Sequence, residues 1–232
     1  MIDIKTHILP FIDDGSDLLT KSIEMLKREY ELGITDVFLT PHYRPCEYEY
    51  SKKTLIEKYN DFLKSIKGIE EIPKIYLGQE IYCDYSIYNR IENNEIMPLG
   101  NGKSILVEFN DNEETDVADY VYNFNILGYT PIIAHVERYS YLDMQKIISI
   151  RKNGGLIQVN AHAVIGILGK HVQSYVLKLI KKGLVDFIAS DYHYGSENYL
   201  KEAYNFIKKK FKSKVADTLF INNAKKYILN KH

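Results

Sequence analysis

Nine ionisable side chains stand where apolar runs end or just after them: Lys5, His7, Asp14, His42, Glu80, Glu108, His135, Asp191 and His193. An apolar strand that delivers ionisable groups at its carboxyl end is how α/β barrels build active sites. One such event carries no weight, but its recurrence along the chain does. Four of the seven histidines stand in these positions, beside carboxylates. Histidine together with carboxylate suits zinc, manganese or iron better than calcium, which takes oxygen ligands alone. Two glutamates and two aspartates can also bridge ions about 3.5 to 4 Å apart, an arrangement that activates water and clamps a phosphate. Arg138, close behind His135, offers a guanidinium able to hold phosphate oxygens bidentately. Taken singly, each residue has a plainer reading as a hydrogen-bonded loop histidine, a solvated strand end or a surface ion-pair partner.

The elements that must position these groups follow from periodicity. Apolar runs over 1–4, 34–39, 75–77, 104–107, 131–134, 156–159 and 186–189 predict strands. Helical spacing predicts helices from Ser16 or Asp17 to Gly33, then over 53–66, 87–91, 115–127, 143–152, 169–182, 198–210 and 214–229. Strands separated by such helices imply right-handed βαβ units and a parallel sheet. All seven strands end in polar groups, which favours a distorted (β/α) barrel over an open doubly wound sheet with one switch point. Nothing interrupts the pattern, so 1–232 is expected to form one domain.

Bulk properties exclude several classes. The 232 residues are 45% apolar and 26% charged with a formal net charge of −1, giving no electrostatic reason to expect nucleic acid as a partner. No apolar run approaches the roughly 18 to 20 residues that span a bilayer, and no basic segment with a long apolar stretch opens the chain. A cytoplasmic protein without membrane insertion is expected, with oligomer formation open. A phosphatase loop would put an arginine six residues after its cysteine, but Cys46 is followed there by Lys52 and Cys83 by Asn89. Both cysteines read as ordinary thiols.

In order, Met1-Ile2-Asp3-Ile4 with His7, Thr40-Pro41-His42, Gly78-Gln79-Glu80, Val107-Glu108-Phe109, Ala134-His135 with Glu137-Arg138, and Ala189-Ser190-Asp191 with His193 form a signature. It resembles the polymerase and histidinol phosphatase (PHP) superfamily, and within it most closely the bacterial manganese-dependent protein-tyrosine phosphatases of capsular and exopolysaccharide operons. The resemblance spans essentially the whole chain. It implies an α/β fold, a distorted seven-stranded TIM-like (β/α) barrel of the PHP type, with a trinuclear metal centre. By the same resemblance His7, Glu80 and Asp191 belong to a first ion, with Lys5 at the place of a further ligand. Glu80, Glu108 and His135 belong to a second ion, and Asp14, His42 and His193 to a third, with neighbouring Asp13 as the alternative to Asp14. The implied ion is Mn2+, with Fe, Zn or Mg as alternatives. The implied reaction is in-line attack of a metal-activated hydroxide on phosphorus, the equatorial oxygens being held by metal and Arg138. The implied substrate is phosphotyrosine on a bacterial protein, the tail of a polysaccharide-assembly tyrosine kinase. Its phenolate, with a pKa of about 10, leaves with little acid help.

Two departures from the family pattern bear on activity more than on fold. The family opens His-x-His, whereas this chain has Lys5-Thr6-His7. An ammonium has three donors and no acceptor, so charged Lys5 cannot ligate metal. It can instead lend positive charge beside Glu80 and Asp191, and two ions are then expected in place of three. The family also carries an arginine shortly after Asp-x-His, yet the segment 194–198 holds none. Phosphate binding should rest on Arg138, with Arg44 or Lys5 as substitutes. The loop with Tyr43, Tyr48 and Tyr50 either offers aromatic surface to a peptide or simply reflects a chain with 20 tyrosines. The rival readings are a phosphatase for a small phosphomonoester such as histidinol phosphate, and a catalytically weak binder of phosphotyrosine or a kinase.

Overall fold

Parallel strands and intervening helices account for most of the chain, as the alternating apolar pattern requires. The computed structural model describes residues 1–229. Strand β1 (Ile2–Thr6) leads to helix α1 (Leu19–Glu31), β2 (Asp36–Leu39), β3 (His42–Tyr43), α2 (Lys52–Ser65), β4 (Lys74–Leu77) and β5 (Glu80–Tyr82). Next come α3 (Ile87–Glu92), β6 (Ser104–Glu108), α4 (Val117–Ile126), β7 (Thr130–Ile133) and α5 (Met144–Lys152). Then follow β8 (Leu156–Asn160), α6 (Ala161–Ile165), α7 (Lys170–Lys181), β9 (Phe187–Ala189), α8 (Leu200–Phe211) and α9 (Ser213–Asp217).

Several helix starts are set by side chains that accept from free N–H groups of the first turn: Ser51 for α2, Asp116 for α4 and Asp143 for α5. The expected cap at Ser16 or Asp17 is not used. Helix α1 begins after Leu18 without a side-chain cap, and the Ser16 hydroxyl donates instead to the Leu18 carbonyl at 3.0 Å. The single helix expected over 214–229 is also divided, since α9 gives way to π-helical turns at Thr218–Asn222 and Lys225–Leu229.

Every pairing between the named strands is parallel, in two sheets ordered β1-β2-β4 and β3-β5-β6-β7-β8-β9. The pairing therefore differs from one continuous seven-stranded ladder. Strand β2 runs on toward β3 across Thr40-Pro41, and β4 toward β5 across Gly78-Gln79. Proline has no N–H for a ladder, and the Gly78 N–H reaches the Leu39 carbonyl at 2.9 Å. At the other limit β1 meets the chain after β9, where the His7 N–H donates to the Tyr192 carbonyl at 2.9 Å. The result is a curled parallel α/β sheet.

Alternate residues of the strands divide the core. Ile2, Ile4, Phe38, Leu106, Ile132, Ala134, Leu156, Phe187 and Ala189 pack together on the concave side, joined by Leu99, Ala224 and Ile228. Their strand neighbours Ile105, Val107, Ile133, Ile157, Val159 and Ile188 pack outward against helices, including Val121 and Phe124 of α4. Val37, Leu39 and Leu77 do the same against Met25 and Leu26 of α1 and Leu55 and Phe62 of α2. A floor of apolar side chains thus closes the concave side, leaving its carboxyl rim for polar groups. Among the described residues no helix is long and apolar enough to cross a membrane.

Candidate metal centre

Continuing each inward-facing set by two residues reaches the rim. Phe38 leads through Thr40 to His42, Leu106 to Glu108, Leu156 to Gln158 and Asn160, and Ala189 to Asp191. Glu80 stands opposite Leu106 in the β5–β6 register, and His42 opposite Glu80 in the β3–β5 register. On β1 the alternation fails: Ile2 and Ile4 face inward, but the ladder to β2 shifts register between Asp3 and Thr6. Irregularities of this kind re-aim side chains. Lys5 and His7, rather than Thr6, reach the cluster. His135 and Asp191 take positive φ of 34° and 59°. Such conformations cost of order 1 to 3 kcal/mol each and persist where the surroundings enforce them.

The rim residues converge on Glu80, which is fully buried. Its Oε1 lies 3.0 Å from His135 Nε2, while Oε2 lies 2.9 Å from Lys5 Nζ, 3.3 Å from His7 Nε2 and 3.4 Å from His42 Nδ1. Glu108 stands 3.1 Å from His42 Nδ1 and 3.7 Å from His135 Nε2. Asp191 contacts Lys5 Nζ and lies 3.4 Å from His7 Nε2. At the outer edge Asp14 Oδ1 lies 3.5 Å from His193 Nε2 and 3.9 Å from His42 Nε2. The His7 and His193 rings stack with centroids 4.0 Å apart. Three groups have ligand atoms close enough to share an ion: His7, Glu80 and Asp191; His42, Glu80 and Glu108; and His7, Asp14, His42 and His193.

The donor set fits metal. Glu80 Oε2 is buried and accepts no well-formed hydrogen bond, despite three cationic or imidazole neighbours. Burial acts to raise the Glu80 carboxyl, but Lys5 and the adjacent histidines hold it well below the usual carboxylate range. Asp191 is held low in the same way, burial being outweighed by Lys5 and His7. Both are therefore anions in a buried site, the condition for binding a cation. Burial would also discharge Lys5, yet the fields of Asp191 and Glu80 raise it above an ordinary lysine.

The choice between adjacent aspartates becomes visible here. Asp14 is half-exposed and turns toward His42 and His193. Asp13 turns away: its buried Oδ2 accepts from His7 Nδ1 at 2.7 Å and from the His42 N–H at 3.0 Å. An acceptor behind an imidazole sets its tautomer and turns its other nitrogen toward the site. Gly15 permits this turn, because a Cβ there would come within 1.9 Å of the His7 carbonyl oxygen. Asp13→Asn is expected to weaken metal binding about 10- to 100-fold, read by calorimetric titration with divalent ions. A change under twofold would mean that Asp13 does not orient His7.

A family model described as "Capsular polysaccharide synthesis, CpsB/CapC" matches residues 1–229. The chain belongs to the CpsB/CapC family. It is 34% identical over 200 residues to CapC of Staphylococcus aureus, covering 83% of this chain and 77% of that one. It is 28% identical over 240 residues to the tyrosine-protein phosphatase CpsB of Streptococcus pneumoniae, covering 99% of both. A crystal structure from work on Bacillus subtilis YwqE and S. pneumoniae CpsB, described as metal-dependent tyrosine phosphatases, superposes with a TM-score of 0.92 at 27% identity. That superposition covers 100% of this chain and 96% of the other.

Beside Glu108, this CpsB/CapC-family chain has a cleft of about 240 Å³ lined by Arg44, Tyr82, Asn110, Asp111 and Arg138. Arg138 pairs with Asp111 at 3.2 Å and Arg44 with Glu108 at 3.0 Å. The tyrosines of the loop do not form an open aromatic surface. Tyr43 is buried beneath the Arg90 guanidinium, 3.2 Å from its ring centroid, and the Tyr50 hydroxyl donates to the His42 carbonyl at 2.6 Å. Both support the loop; Tyr48 alone of the three stacks on the His42 ring, with centroids 6.0 Å apart.

Sequence reading had no place for Gln158 and Asn160. Gln158 accepts from the His135 N–H at 2.6 Å and donates to Asn160, which donates to Asp191 Oδ2 at 2.8 Å. This chain of amides ties two positive-φ residues together. Its signal in the sequence was two amides two residues apart within an apolar strand, a spacing that puts both on one face. Cys83 is buried, its thiol pushed up by burial, and Cys46 is exposed outside the cluster.

Proposed function

We propose that this protein is a metal-dependent phosphatase that hydrolyses phosphotyrosine in proteins, with the tail of a capsule-assembly tyrosine kinase as substrate. The observation that carries the reading is one juxtaposition: a cleft with two guanidiniums opens beside Glu108, at the edge of three overlapping ligand groups. His7, Asp14, His42, Glu80, Glu108, His135, Asp191 and His193 would hold the ions, with Mn2+ as the metal and Fe, Zn or Mg as alternatives. Bound metal supplies Lewis acidity, activating water and neutralising phosphate charge. The chain's own part is positioning. Arg138 and Arg44 exchange their carboxylate partners for phosphate oxygens, and the phenyl ring of the substrate lies toward Tyr82. Water adds to phosphorus as the phosphorus–oxygen bond to the phenol breaks, giving inorganic phosphate and tyrosine. We further read the nine strand segments as seven, each break at Pro41 and Gly78 interrupting one strand of a single-domain distorted barrel in the cytoplasm.

The test is phosphate release from a phosphotyrosine peptide and from histidinol phosphate, each with Mn2+ and with chelator. Mn2+-dependent release from the peptide is expected. Tight peptide binding with no release at excess Mn2+ would support the binder reading instead, which Lys5 and the arginine-free segment 194–198 favour. Arg138→Ala is expected to lower kcat/KM for the peptide by about 10²-fold, the usual cost of one preorganised donor. Arg138→Lys should recover only part of it, because an ammonium cannot make the paired contact. Equal activity in Arg138→Ala would remove Arg138 from the phosphate site.

A further inference from the structure

The Lys5 side chain emerges inside the ligand cluster rather than at its edge. It is 1% exposed, and its Nζ meets Glu80 Oε2 at 2.9 Å, His7 Nε2 at 3.3 Å and Asp191 Oδ1 in direct contact. Those three partners are the members of one of the three groups able to share an ion. We infer that the Lys5 ammonium is a resident cation occupying the His7–Glu80–Asp191 subsite, so that this chain takes metal only at the two subsites built around His42. The inference rests on the reading of the cluster as a metal centre.

Three features argue for it. The ammonium's Nζ lies within 3.3 Å of two carboxylate oxygens and one imidazole nitrogen, so its charge sits where a shared ion would. Asp13 Oδ2 lies 2.7 Å from His7 Nδ1, which turns the Nε2 of the ring toward Lys5 Nζ. The same oxygen and nitrogen atoms would have to close to about 2.0 to 2.2 Å on a metal ion, and Nζ already stands among them. A metal could enter only by driving a buried ammonium away from two carboxylates, or by lying beside it against charge repulsion. The register shift in β1 is what brings Lys5 to this position, so the displacement has a basis in the backbone. Glu80 would then face two kinds of cation, the ammonium beside His7 and Asp191 and an ion in the group it forms with His42 and Glu108.

The decisive experiment is anomalous diffraction at the manganese edge from crystals of the unaltered protein soaked in MnCl2. Peaks are expected at one or both groups containing His42, with none among His7, Glu80 and Asp191. A peak within that triad, with Lys5 swung out, overturns the inference while leaving the metal-centre reading intact. No peak anywhere overturns both. Elemental analysis supplies a second arm: Lys5→His should hold one more ion per chain than the parent, and its own map should show the extra peak in the triad. An unchanged metal content in folded Lys5→His counts against the inference. If Lys5→His does not fold, the map of the parent decides alone.

Discussion

Glu80→Gln is expected to release phosphate from phosphotyrosine peptide about 10³-fold more slowly than the parent and to lose bound metal. Glu80 belongs to two of the three ligand groups and is fully buried between them. Glutamine keeps the shape of the side chain but removes its charge and turns one acceptor into a donor. In one orientation that donor faces the Lys5 ammonium, and in the other the His135 Nε2 that stands 3.0 Å from Oε1. A Lewis-acid centre contributes several kcal/mol to the barrier, and each 1.36 kcal/mol is tenfold in rate. The loss should therefore fall mainly on kcat and be accompanied by lower metal content on elemental analysis. Activity and metal within tenfold of the parent would reduce Glu80 to a structural group.

Lys5→Met is expected to destabilise the metal-free protein by about 3 to 5 kcal/mol, the usual cost of removing one partner from a buried ion pair. Methionine approximates the length of the lysine stem, so packing changes little. What is lost is the ammonium of the His7–Glu80–Asp191 subsite, where both carboxylates are buried. At this chain length such a loss lowers the melting temperature by roughly 10 °C. Urea unfolding in chelator reads the loss directly. Adding Mn2+ should recover much of it, since a metal ion can then compensate the carboxylates left unpaired. Equal stability of parent and variant in chelator would mean that Lys5 carries no structural charge.

These two residues mark where sequence legibility ends. Glu80 was legible because an apolar run closing in Gly78-Gln79-Glu80 must deliver its last side chain at a strand's carboxyl end. The same logic holds for His42, Glu108, Asp191 and His193, and period two then aligns them on one face, whereas His135 follows inward-facing Ala134 by one residue and turns in through a positive φ. The position of Lys5, beside Glu80 and Asp191, was legible only through the family resemblance and not from strand alternation. Alternation from Ile2 and Ile4 would have turned Thr6 inward, and only a register shift against β2 exchanges Thr6 for Lys5 and His7. Asp13 and Asp14 are identical in type and adjacent. Which one meets metal depends on whether the loop turns it toward His193 or behind His7. Tyr43 and Tyr50 looked like substrate surface because tyrosine composition says nothing about which hydroxyl finds a backbone carbonyl.

By itself the sequence determined the parallel α/β architecture, the rim on which the functional groups stand and the types of residue gathered there. Local patterning is sufficient for that, because burial dictates the period and strand ends dictate the rim. The tertiary structure decided which carboxylate orients and which could ligate, and how Gln158 and Asn160 join His135 to Asp191. It also fixed how closely the Lys5 ammonium approaches His7, Glu80 and Asp191. Those outcomes depend on registers and on left-handed backbone at two rim residues, which are set by the closing of the sheet and not by any stretch of chain read alone.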